Sequence, residues 1–188
     1  MAGPRTRGRP VEIDSARLSR IAVELFAERG YDEVSAAEVA ATAGVSRRSL
    51  FRYFPSKADL VWHGFREGLE MLSVALLDSG DLPPADAVAA AMIAMVERTP
   101  ALELTRTRLR ILAEHRELMS IGLGRLDEQV AICAAYLRNR GVDDLTSQAQ
   151  AAAITAAAFT GYLYWATSTT DPAPLGSVRR ALEAVGEL

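Results

Sequence analysis

The stretch Ser35-Ala36-Ala37-Glu38-Val39-Ala40-Ala41-Thr42-Ala43-Gly44-Val45-Ser46-Arg47-Arg48-Ser49-Leu50-Phe51-Arg52-Tyr53-Phe54-Pro55 decides the fold. Ser35 and Glu38 have the spacing of a capping box, in which the serine and the glutamate three residues on satisfy free amides at a helix start. The helix so begun runs through Val39 and Ala40 to Gly44, a residue that tolerates the left-handed conformation of a tight turn. Val45 plugs the space between two helices, Ser46 caps the second, and Pro55 ends it. Leu50 and Phe54, four apart, face inward with Val39, Ala40 and Phe26. The opposite side of this short helix carries Arg47, Arg48, Ser49 and Arg52. Two short helices around a glycine turn make a helix-turn-helix. Arginine offers bidentate contacts to guanine edges and phosphates, and Ser35, Ser46, Ser49, Tyr53 and Lys57 are natural phosphate ligands around it. Spacing alone leaves open a basic helical pair that binds no DNA.

Outward from this stretch the chain reads as helix throughout. Asp14 or Ser15 caps a segment holding Ile21, Ala22, Leu25 and Phe26 that stops at Gly30. Ser56, with Asp59 behind it, opens a long segment over 57–77, interrupted in composition only by Gly64 and Gly68. Residues 78–84 form a loop, and helical patterns follow at about 84–98, 101–114, 117–140, 145–168 and 174–186. No segment alternates as a strand does. The expectation is an all-α protein of about nine helices. A basic arm spans 1–10, a helix-turn-helix DNA-binding domain 11–57, and a ligand-binding and dimerisation domain 58–188.

Charge divides the chain the same way. Residues 1–57 carry 10 Lys and Arg against 7 Asp and Glu, whereas 58–188 carry 11 against 17, so only the front suits a polyanion. Hydrophobic residues make up 49% of the chain, enough for a substantial core. No apolar run approaches the roughly 18 residues of a membrane span, and the arginine-rich start lacks an apolar signal core. A cytoplasmic protein with no membrane partner is expected. The single Cys133 excludes an internal disulfide and any multi-cysteine metal site. His63 and His115 stand isolated, and no phosphate-binding glycine motif is present, so no catalytic residue, metal or cofactor is assigned.

The residues from Ile21 to Leu60 closely resemble the DNA-binding domain of the TetR family of repressors. The resemblance lies in Ala22-Val23-Glu24-Leu25-Phe26-Ala27-Glu28-Arg29-Gly30-Tyr31, in Val34-Ser35-Ala36-Ala37-Glu38-Val39-Ala40, and in Ala43 through Lys57. It implies a three-helix head and a dimeric body that binds a small-molecule effector, the head reading a double-stranded DNA operator. Two positions depart from the common family pattern. Arg48 stands where a small residue is usual, and Phe51 replaces a tyrosine whose hydroxyl often meets phosphate. Tyr53 and Lys57 match backbone-contacting positions. Ahead of the head, Arg7-Gly8-Arg9-Pro10 resembles an AT-hook that lays Arg7 and Arg9 in the minor groove; a solvated tail is the alternative.

In the body, Ala149, Ala151, Ala152, Ala153, Ala156, Ala157, Ala158 and Gly161 are small residues that let helices approach closely. The partner is either the same helix of a second subunit, as the resemblance implies, or the chain's own core. Phe65, Leu69, Leu72, Met92, Met95, Leu109, Leu112, Met119, Leu123 and Tyr162 are adaptable apolar side chains suited to a pocket or to plain core. Arg106, Arg108 and Arg110 flank Leu109 and would meet an anionic head group, or face solvent. The segment Arg106–Leu112, with Arg47–Lys57 and Trp62, resembles an actinobacterial subgroup of the family, that of the mycofactocin-system regulators, whose C-terminal domain is associated with acyl-CoA-like ligands. The function expected is a ligand-released repressor; the alternative is an architectural DNA-binding protein without inducer.

Overall fold

The computed structural model describes residues 14–186 and is helical, with no strand among them. Ten helices follow in order: α1 (Ser15–Arg29), α2 (Ala36–Thr42), α3 (Arg47–Tyr53), α4 (Lys57–Val61), α5 (Phe65–Leu77), α6 (Pro84–Glu97), α7 (Leu102–Glu114), α8 (Arg116–Asn139), α9 (Asp144–Thr167) and α10 (Pro174–Gly186). The arm, with Arg7 and Arg9, lies outside the described residues.

Local chemistry sets the ends of the front helices. Asp14 caps α1 by accepting from the Arg17 amide, and α1 ends at Gly30 with φ +93°. Ser35 and Glu38 form the capping box of α2, Ser46 caps α3, and Ser56 with Asp59 forms a second capping box on α4. Gly44 takes φ +72° in the turn between α2 and α3.

The segment expected as one helix over 57–77 is two. α4 stops after Val61, and α5 restarts behind Gly64, which sits in the left-handed region at φ +93°. Helical propensity across 62–64 gives way here to packing. The indole of Trp62 turns into the core and donates from Nε1 to the Leu118 carbonyl at 3.1 Å. That turn requires a break, and glycine is the residue that supplies the reversal without steric cost.

One cluster of buried residues holds α1–α4 together and continues into the body through Trp62, Leu109, Ile111, Leu112, Leu118 and Trp165. The packing is therefore continuous across the expected 57/58 boundary. A second cluster ties α5 and α6 to α8, α9 and α10. Two glycines permit close approaches. A Cβ on Gly161 would lie 2.7 Å from the Ser177 carbonyl oxygen of α10, and a Cβ on Gly122 would lie 1.8 Å from the Trp62 ring.

The alanine-rich helix α9 resolves into two faces. Ala151, Ala157, Ala158 and Gly161 pack inside the chain, whereas Leu145, Ala149, Ala152, Ala153, Ala156, Thr160 and Tyr164 form an exposed stripe at helical spacing. Small side chains thus lie on both sides of one helix, one set packed inside the chain and the other exposed.

Candidate DNA-reading helix and the cavity behind it

Helix α3 is anchored by Leu50, 1% exposed, and by Phe54 just after it, 3% exposed. Its outer face presents Arg47, Arg48 and Arg52 to solvent. Ser46 Oγ accepts from the Ser49 amide at 3.1 Å, and the two serine hydroxyls lie 2.9 Å apart. Arg47 lies over the Phe51 ring at 5.4 Å. Arg52 lies over the Tyr53 ring at 4.9 Å and donates to the Tyr53 hydroxyl at 3.1 Å. Among the described residues the ion pairs involve other arginines, and none engages Arg47, Arg48 or Arg52. Three uncompensated guanidinium groups on one short helix give a local positive field suited to a phosphate backbone.

Ser35 and Lys57 take other places. Ser35 is exposed, and its hydroxyl and amide both engage Glu38 at 2.8 Å. With Arg29 also bound at 2.8 Å, these bonds hold the Glu38 carboxyl down at about 2. Lys57 turns inward. Its ammonium donates to the Tyr31 carbonyl and lies 3.9 Å above the Tyr31 ring. Burial of this cation pushes its pKa down, and burial of the Tyr31 phenol, with Glu117, Asp32 and Asp59 nearby, pushes that group up to about 12. Lys57 thus staples α4 to the loop after α1.

Behind the head lies a cavity of about 580 Å³, within the range of roughly 300–1,000 Å³ usual for small-molecule sites. Its walls come from α1, the α4–α5 break, α5, the end of α6, α7, α9 and, through Gln129, α8. Of the apolar residues anticipated from the sequence, Phe65, Leu69, Met95, Leu109, Leu112 and Tyr162 line it. Leu72 and Met92 do not; both are fully buried in the second core cluster. Met119 packs against the first cluster, away from the cavity. Nothing is described for the Leu123 side chain.

The three arginines of α7 part company. Arg106 donates to the carbonyls of Trp165, Ser168 and Asp171, and Arg110 to that of Ala166 at 2.7 Å. Both tie α7 to the end of α9 and the loop behind it, and neither reaches the cavity. Arg108 does reach it. Its Nη2 donates to Ser19 Oγ at 2.9 Å, and Ser19 Oγ in turn donates to the Leu60 carbonyl at 2.8 Å. Its Nε is buried without a hydrogen-bond partner, and burial lowers its pKa, although a guanidinium stays charged. Around it stand Tyr162, whose hydroxyl donates to Thr99 Oγ1 at 3.1 Å, and His63, which burial biases toward its neutral form. Exposed Arg17 and Arg20 line the cavity from α1, so part of its wall is the head itself.

Sequence reasoning missed Ser19. Its signal was available: Ser19, Ala22, Val23 and Phe26 form one buried stripe of α1, and a hydroxyl on such a stripe must find partners.

The fold and its two sites define a helix-turn-helix regulator, and comparison with known proteins specifies the kind. The family model described as "Bacterial regulatory proteins, tetR family" matches residues 20–62, and that described as "MftR C-terminal domain" matches residues 82–187. The chain belongs to the TetR family of transcriptional regulators, a family of regulators and not of enzymes. It is 29% identical over 164 residues, 84% of this chain and 82% of the relative, to a Mycobacterium tuberculosis protein named as the mycofactocin biosynthesis transcriptional regulator MftR. Among solved structures, Thermus thermophilus FadR, a TetR-family repressor in complex with lauroyl-CoA, superposes with a TM-score of 0.59 at 22% identity, covering 93% of this chain and 94% of that one. A TetR-family regulator of Streptomyces coelicolor superposes with a TM-score of 0.58 at 20% identity over 98% of both chains. No helix among the described residues is long and apolar enough to cross a membrane.

Proposed function

We propose that this protein is a cytoplasmic repressor that binds a palindromic operator as a homodimer and is released by an apolar effector with an anionic head, of the long-chain acyl-CoA class. The observation that carries the reading is the cavity of about 580 Å³ whose wall is shared between the DNA-reading head and the body. A ligand there touches both units at once, so its binding energy can differ between two head positions, which a population shift requires. An architectural DNA-binding protein without inducer would be favoured by a filled body, and this body is not filled. The lauroyl-CoA complex of the T. thermophilus FadR named above supports the ligand class. The exposed alanine stripe of α9 supports dimerisation through α9 and α10, because small side chains let two copies approach closely.

Within this reading residues 11–57 form the DNA-binding domain and 58–188 the ligand-binding and dimerisation domain. Arg47, Arg48 and Arg52 meet the major groove, and Ser35, Ser46, Ser49 and Tyr53 meet phosphates beside it. Arg7 and Arg9 of the arm add contacts in the adjacent minor groove. Lys57, held against Tyr31, acts by fixing α4, and its ammonium reaches phosphate only if it leaves that ring.

Operator binding by fluorescence anisotropy tests the DNA half. Arg47→Ala or Arg48→Ala should weaken specific binding by about 1–3 kcal/mol where the lost contact is bidentate to a base. Binding equal to wild type in both variants would show that α3 is not the reading helix.

A further inference from the structure

The cavity holds a guanidinium that forms no ion pair among the described residues, its nearest acidic neighbour being Glu67 of the same wall. Arg108 lines the cavity among apolar residues, with Tyr162 and Glu67 near it; no carboxylate stands within ion-pair distance of it among the described residues, and its Nε has no partner. A half-buried cation whose buried Nε lacks an acceptor costs free energy that an incoming oxygen acceptor recovers. Its one firm bond goes to Ser19, fully buried on α1, which passes the connection to the Leu60 carbonyl near the end of α4. That carbonyl lies in the last turn of a helix that stops at Val61, so it has no helical amide to accept from and depends on Ser19. Body helix α7 is thereby latched through one side chain to α1 of the head and to α4 at the junction of head and body, and the latch opens into the cavity beside the left-handed Gly64, whose Cβ would lie 3.8 Å from Arg108 Nη1.

We infer that Arg108 receives the acyl oxygen at the polar end of the ligand's apolar chain, a carboxylate or a thioester carbonyl, and that in turning to it Arg108 releases Ser19 and so unlatches the head. This rests on the acyl-ligand reading above and assigns its polar contact. A CoA nucleotide would remain at the mouth beside Arg17 and Arg20. The effector's chain fills the cavity and its oxygen breaks the latch; chain length sets affinity, and the oxygen sets release.

The probes are lauroyl-CoA, its dodecyl thioether analogue (same chain and nucleotide, no carbonyl) and dodecanoate. Trp62, which lines the cavity, reports binding by fluorescence, and labelled operator reports release. Lauroyl-CoA, dodecanoate or both should release operator, and which of them does so identifies the source of the oxygen. The thioether should bind, yet require about 10-fold or more higher concentration to release DNA, because it offers Arg108 no acceptor. Ser19→Ala removes the latch without touching the ligand. It should bind the releasing probe as well as wild type or more tightly, and show weaker operator binding without ligand. Its ratio of operator affinities without and with ligand should shrink by about 5-fold or more, as reciprocal coupling demands. Arg108→Leu, which offers no donor, should abolish the difference between lauroyl-CoA and its thioether. A variant that merely loosened the head would lower operator affinity and leave ligand affinity and the coupling ratio where they were, and that result overturns the latch. If the thioether releases DNA as well as lauroyl-CoA does, the Arg108 assignment falls and the acyl-ligand reading stands. If no probe binds, both fall.

Discussion

Ala153→Arg is expected to yield a folded monomer that has lost operator binding. Ala153 is exposed midway along the outer stripe of α9, between Ala149 and Ala156, so a single chain accommodates the longer side chain without disturbing its core. In a dimer joined through α9 and α10 the same change places a charged, bulky group where two helices must nearly touch. A palindromic site engages two heads at fixed separation, and a monomer forfeits the gain from linked binding, about 10²–10⁴-fold in affinity. Light scattering measures the mass and anisotropy the loss, while circular dichroism should match wild type. Ala157→Arg is a poor substitute for this experiment, because Ala157 is 8% exposed and packs within the chain's own second core cluster. A wild-type monomer at micromolar concentration would contradict the dimer proposal.

The second large effect is one of stability, and its sign is diagnostic. In an exposed helical position Gly→Ala stabilises by about 1 kcal/mol. Gly124→Ala on α8 should behave so, since its Cβ would meet nothing within 4 Å. Two residues away, Gly122→Ala puts a methyl 1.8 Å from the Trp62 ring. The indole cannot rotate away cheaply, being 5% exposed and bonded to the Leu118 carbonyl. Overpacking of about 1–3 kcal/mol, together with a strained or lost hydrogen bond of about 1 kcal/mol, exceeds the propensity gain. Gly122→Ala should therefore lower Tm by roughly 2–12 °C while Gly124→Ala raises it slightly. Equal shifts in the two variants would show that Trp62 does not seat against α8. Because Trp62 also lines the cavity, Gly122→Ala should alter ligand binding as well.

Much of the front of the molecule is legible in the sequence because its helix ends are fixed by local chemistry. Ser35 with Glu38, Ser46, Gly44 and Ser56 with Asp59 act within a few residues of themselves, so spacing alone locates them. The break at Trp62–Gly64 is not local. It depends on a carbonyl 56 residues away on α8, and in one dimension Gly64 looks no different from Gly68, which sits undisturbed inside α5. The same reason separates Arg106, Arg108 and Arg110. They occur at every second position of one helix and so point in different directions. Which of them enters the cavity is decided by where the end of α9 supplies carbonyls for the other two. The apolar set divides likewise: Leu69 and Leu72 both lie on α5, yet one lines the cavity and the other fills the second core. Periodicity names the buried face, and tertiary packing decides whether that face meets a neighbour or a void.

The central claim is that a ligand in the shared cavity drives the head off DNA, and its most direct test is a titration of the operator complex with acyl-CoAs of increasing chain length. Each buried CH₂ contributes about 0.8 kcal/mol, so release should strengthen steadily with length until the cavity is full. Free CoA should be nearly inert, and saturating ligand should weaken operator binding by about 5–150-fold. Release independent of chain length, or release by a cationic or planar aromatic compound in place of the acyl series, would contradict the account.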